Sequence, residues 1–240
     1  MIGINGALTL DGMSFLLSAL IVAFVQPILE ETSKNDDFSV KVIFDDLVSG
    51  FKYVICNRQI YLLIALSAGV NFFMAGYSLL LPYGNQMFPK ITGDIYATFL
   101  TAEAIGGVIG AVVSGKMRRK LSTGQLMAML FVFGGFVALA PVLYFVKAEL
   151  FLMVLSPVGS GIFMTLFNIH SFSLVQREVA SEYLGRVLGI VFTVAILFMP
   201  LGTALFTIIF SPRNPGNLLY LGISVMILSL IFLRLLQSNG

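Results

Sequence analysis

Seven long apolar runs, separated by short charged loops, constrain this chain more than anything else in it. They cover about residues 8–28, 60–81, 95–115, 125–146, 150–175, 187–210 and 218–236. A spanning helix needs about 20 mostly apolar residues. In lipid only helices or closed barrels satisfy their own backbone. The short alternating strands of a barrel are absent from the sequence, so the expected fold class is all-α, a polytopic transmembrane helical bundle of seven spans. Basic residues then set an orientation. Lys34, Lys41, Lys52 and Arg58 follow the first run, and Lys116, Arg118, Arg119 and Lys120 follow the third. Arg177 and Arg186 follow the fifth, and Arg234 closes the last. The alternate loops hold only Lys90, Lys147 and Arg213. Eleven against three, by the positive-inside rule, places the N-terminus outside and the C-terminus in the cytoplasm.

Composition narrows the function classes. Charged residues are 11% of the chain, against about 25% in soluble domains, and the net charge is +2, so nothing points to nucleic acid. The one cysteine, Cys56, excludes an internal disulfide and lies on the expected cytoplasmic side. No cysteine–histidine set is available for a structural metal, and no cofactor is expected. Enzyme chemistry is not expected either. The sequence lacks an H-E-x-x-H pair, a G-x-S-x-G elbow and a phosphate-binding glycine loop. Residues 1–25 carry no Lys or Arg, so they do not read as a cleaved signal peptide.

The chain divides into a first span (1–29), a cytoplasmic linker (30–59) and six further spans (60–240). The linker opens on the charged stretch ETSKNDD. Val40, Ile43, Phe44, Leu47, Val48, Phe51, Val54 and Ile55 then recur every three or four residues. That is the stripe of an amphipathic helix lying on the membrane surface or under the bundle. Short loops make successive spans antiparallel, and six spans after a long linker can be read as three plus three, the inverted-repeat plan of many secondary transporters. Seven is an odd total for such a plan, and a chain whose earlier spans are missing would explain it.

Several side chains are candidates for function. In EAIGGVIGAVVSG, Gly106, Gly110 and Ser114 recur every fourth residue, as do Gly107, Ala111 and Gly115. Small residues at that spacing let helices approach closely, for static packing or for sliding. Glu103 lies on the same face. An acid at that depth is expensive and should face the bundle interior, which suits a group that takes up and releases a proton or contacts substrate; a structural hydrogen bond, or a carboxyl that reaches the outer interface, is the alternative. Ser67, Asn71, Met74 and Ser78, with Tyr77 adjacent, form a polar line on span two. Gly161, Thr165, Asn168 and Phe172 form another on span five; Thr193, Pro200, Thr203 and Thr207 mark span six. Three such lines suggest a water-filled cavity, with interhelical hydrogen bonds the alternative for any single residue. His170 is the lone histidine, an interfacial hydrogen bonder or a candidate relay, and two positions from Asn168 it cannot share that residue's face.

Two segments carry a resemblance to a known family. GAVVSGKMRRK, from Gly110, resembles the second-half cytoplasmic loop motif G-x-L-a-D-r-x-G-r-k of the major facilitator superfamily. Gly110, Arg118 and Arg119 match; Ser114 stands in place of the Asp and Met117 in place of the second Gly. QREVASEYLGRVLG, from Gln176, resembles a cytoplasmic loop of the drug-efflux subgroup that includes macrolide exporters, most clearly at Gly185, Arg186 and Val187. DGMSFLLSALIV, from Asp11, is similar to that subgroup's sixth helix. The resemblance implies helices six to twelve of a twelve-helix plasma-membrane transporter, without the first five. It implies proton-coupled efflux of small hydrophobic or amphipathic drug-like molecules by alternating access. It also implies that spans two and five line the cavity, that Asn71 and Asn168 are cavity residues, and that the chain is inactive without its N-terminal half. A seven-helix receptor or a membrane scaffold protein are the alternatives. No lysine lies mid-span for a retinal Schiff base, and no outer cysteine pair is present, which weighs against the receptor.

Overall fold

The computed structural model describes residues 4–24, 40–117 and 121–237, and every regular element among them is helical. Arg118 and Arg119, with the linker segment 30–39 and residues 25–28 of the first expected span, lie outside the described residues. Contacts divide the chain into two units, Met1–Ile43 and Phe44–Gly240. In the first unit α1 runs from Ile4 to Ala23, with exposed Leu10, Phe15 and Leu20. Among the described residues six helical runs, all in the second unit, are long and apolar enough to cross a bilayer. The apolar part of α1, Leu8–Ala23, is shorter than these.

The second unit takes in the greater part of α2 (Val40–Cys56), which carries the amphipathic stripe expected of the linker. Asn57 ends α2 and caps α3 (Arg58–Leu80), its Oδ1 accepting the Ile60 amide at 3.3 Å. Pro82 diverts the chain into a 3-10 turn and the short α4 (Gly84–Met87). Asn85 then clamps the loop, donating to the Gly93 carbonyl at 2.7 Å and accepting from the Ile95 amide at 3.0 Å. Asp94 caps α5 (Ile95–Lys116), and a Ser122–Gln125 capping box opens α6 (Thr123–Phe145). The single turn α7 (Leu150–Met153) leads into α8 (Leu155–Glu178), followed by α9 (Ser181–Ile209) and α10 (Gly216–Gln237). Such caps satisfy amides that the first helical turn leaves unpaired.

The packing has an internal symmetry. The main contacts join α3 to α9, α5 to α8, α6 to α10, α6 to α8 and α3 to α10. Exchanging α3 with α8, α5 with α9 and α6 with α10 leaves that set of pairs unchanged. Loops this short force successive long helices to reverse, so the two triplets run in opposite senses, which is an inverted three-plus-three arrangement.

Glycines mark each principal seam. On the α5–α8 seam, Gly106 and Gly110 abut the Val158 and Ile162 carbonyls, and Gly161 abuts the Glu103 carbonyl. On α3–α9, Gly202 meets the Phe72 carbonyl. On α6–α10, Gly134 and Gly222 face each other's backbone at an exchange-related crossing. Lipid competes for apolar side chains, so close backbone packing is what holds such helices together.

Candidate functional site

A cavity of about 250 Å³ lies between α3, α8 and α9. The fourfold spacing of Ser67 and Asn71 puts both on its α3 wall. Each is anchored to its own helix: Ser67 Oγ donates to the Leu63 carbonyl at 3.0 Å, and Asn71 Nδ2 to the Ser67 carbonyl at 2.9 Å. From α8 come Asn168, Ser171 and Phe172, which share a face at spacings of three and four. From α9 come Phe192, Ala195 and Ile196. Phe192 is 51% and Ile196 65% exposed, so the cavity opens on an apolar flank of the six-helix unit.

Among the described residues its polar content is entirely uncharged: two carboxamides and two serine hydroxyls. The exposed Asn168 side chain makes no hydrogen bond to any described residue. Ser171 Oγ is buried with no partner among the described residues, an arrangement that costs free energy unless something polar meets it there.

A second polar group sits elsewhere in the bundle. The Tyr77 hydroxyl donates to Glu103 Oε2 at 3.2 Å, joining α3 to α5. Tyr77 is only 7% exposed and Glu103 is half-buried, so the acid faces inward. Six residues separate Asn71 from Tyr77, about 9 Å along the helix axis. Neither Glu103 nor Tyr77 lines the cavity.

The polar line expected on α8 divides between two neighbours. Asn168 and Phe172 line the cavity, whereas Thr165 packs on the glycine face of α5, its Oγ1 lying 3.4 Å from where a Gly107 Cβ would sit. His170 also turns to α5, with Nε2 at 3.3 Å from Ser114 Oγ, and Ser114 is buried next along the line from Gly106 and Gly110. A step of two residues rotates a helix by about 200°, so Asn168 and His170 face opposite sides. The threonines expected on α9 do not reach the cavity: Thr203 and Thr207 are exposed and donate to the Met199 and Thr203 carbonyls.

Of the loop residues, Arg186 binds the linker helix. Its Nη1 donates to Ser49 Oγ at 3.3 Å, and its guanidinium lies 5.8 Å from the Tyr183 ring centre. Tyr183 stacks on Tyr53 at 4.4 Å, and the Tyr53 hydroxyl accepts the Ala180 amide at 3.2 Å. Gly50 admits the Arg186 side chain against the α2 backbone, while Gly185 faces open space. Thus α2 is fastened to the first turns of α9, the helix that also walls the cavity.

Sequence reasoning missed Ser171, although its position three residues after Asn168 marks the same face. It missed the α9 wall for a firmer reason: Phe192, Ala195 and Ile196 look like any lipid-facing residues. Comparison with protein-family models, with curated proteins and with solved structures finds no match for this chain.

Proposed function

We propose that this chain is the C-terminal part of a secondary-active membrane transporter of the major facilitator type. It corresponds to helices six to twelve and works by proton-coupled efflux of macrolides or similar drugs. In this reading α1 is an additional span, the N-terminus lies outside the plasma membrane, and the C-terminus is cytoplasmic. The carrying observation is the α3–α8–α9 cavity, where Asn71 and Asn168 meet between the first helices of two oppositely running triplets. Transporters built from inverted repeats place substrate at a repeat interface near the bilayer midplane. The cavity's exposed flank is where an N-terminal half would close it, and alternating access would follow from rocking of one half against the other. Glu103, a carboxyl on a spanning helix, is the proton site in this reading, with Tyr77 as its partner.

Erythromycin accumulation gives the test. Cells expressing the chain together with a five-helix N-terminal half should accumulate less drug than cells expressing either piece alone. Equal accumulation in all three refutes the reading.

A further inference from the structure

Resting on the transport reading, the chemistry of the cavity goes one step further and selects a class of ligand. We propose that it takes an uncharged molecule, or the uncharged part of a larger one such as the lactone body of a macrolide, with an apolar surface and a hydrogen-bonding group of the carboxamide kind, and that it discriminates against cationic groups. The walls supply the apolar part through Phe172, Phe192 and Ile196. The polar part comes from Ser67, Asn71, Asn168 and Ser171, and no charged side chain among the described residues lines the wall that this chain supplies. A cation entering it would leave water without meeting an opposite charge, the costliest kind of polar burial. Glu103 offers no relief, because it is held by Tyr77 outside the cavity wall.

An uncharged carboxamide suits the same groups. A carboxamide both donates and accepts, as do Asn and Ser. Asn71 has one N–H committed to the Ser67 carbonyl, and no described residue competes for its Oδ1. The Asn168 side chain is exposed and uncommitted to any described residue, and the buried Ser171 hydroxyl is unmet among the described residues. A site built to hydrogen-bond a ligand rejects analogues that leave its polar groups unpaired. At about 250 Å³ the cavity is smaller than the roughly 300–1,000 Å³ typical of drug-sized sites, so this chain grips a small ligand or one end of a larger one.

The matched probes N-acetyl-2-phenylethylamine, which is uncharged, and 2-phenylethylamine, a cation at neutral pH, share one aromatic body. Equilibrium dialysis of each against the purified chain in nanodiscs, corrected with empty nanodiscs, reads the selectivity without transport. The amide should bind at least tenfold more tightly. Asn168→Asp should shift the preference at least tenfold towards the amine. Ser171→Ala should weaken amide binding several-fold while raising the unfolding temperature, since it removes an unmet buried hydroxyl, and that pairing separates ligand loss from misfolding. Equal or tighter binding of the amine by the unmodified chain overturns the proposal, as does no binding of either probe above empty nanodiscs. Unchanged amide affinity in Ser171→Ala overturns it too, because water alone would then satisfy the hydroxyl. Drug flux without this selectivity defeats only the ligand class, whereas selective binding without flux defeats only the transporter.

Discussion

Gly106 and Gly107 are adjacent in the sequence, both glycine, and both in runs of small residues four apart, yet alanine should have opposite effects at the two positions. A Cβ at Gly106 would sit against the carbonyl group of Val158, backbone that no side-chain rotation can move aside. The scale can be read one turn along, where a Gly110 Cβ would lie 2.6 Å from the Ile162 oxygen, against about 3.4 Å for ordinary contact. Restoring contact distance therefore means parting α5 from α8 by about 0.8 Å. A gap of 0.5–1 Å forfeits a quarter to a half of each dispersion contact, worth about 0.1–0.2 kcal/mol per atom pair. Over roughly thirty pairs along such a seam the loss is about 1–3 kcal/mol, in the usual range for overpacking. Alanine recovers about 0.5–1 kcal/mol of helix propensity, so Gly106→Ala should destabilise by about 1–2 kcal/mol net. At Gly107 the nearest atom is Thr165 Oγ1, already at an ordinary 3.4 Å. Gly107→Ala should accordingly be neutral or stabilising by up to about 1 kcal/mol. Reversible unfolding in mixed micelles titrated with SDS, followed by circular dichroism, measures both. Variants that agree within about 0.5 kcal/mol, or a Gly107→Ala that is the weaker of the two, would refute the idea that α5 meets α8 along the line of Gly106, Gly110 and Ser114.

Two further outcomes follow from the polar residues and the orientation. In the reassembled transporter, Glu103→Gln should insert normally and still bind substrate but lose transport driven by a proton gradient; wild-type flux with unchanged pH dependence would make Glu103 a structural partner of Tyr77. Cysteine placed at Lys90 or Lys147 should react with a membrane-impermeant thiol reagent in intact cells, whereas the exposed native Cys56 should not; the reverse labelling would invert the orientation.

Element type and length were legible along the chain because bilayer thickness is written into the apolar runs. Six of the seven expected spans are helices long and apolar enough to cross, and the α2 stripe is helical where its three-and-four spacing placed it. Asn71 and Asn168 were singled out as cavity residues only through the family resemblance; both line the space between α3, α8 and α9. Spacing along the helix set His170 apart from Asn168, but it could not separate Thr165, which faces α5, from Asn168, which faces the cavity, and it passed over Ser171.

Nor could it tell Gly106 from Gly107, or see that Gly134 and Gly222 meet. The reason is physical. In water, burial sorts side chains by polarity, so the buried face of a helix shows in the sequence. In lipid both faces of a spanning helix are apolar, and partners are chosen by backbone proximity and a few hydrogen bonds instead. The apolar runs by themselves determined that this chain is helical, with helices long and apolar enough to cross a membrane. Which small residue touches which backbone, and which polar groups converge on one cavity, was decided only by the packing of the six helices.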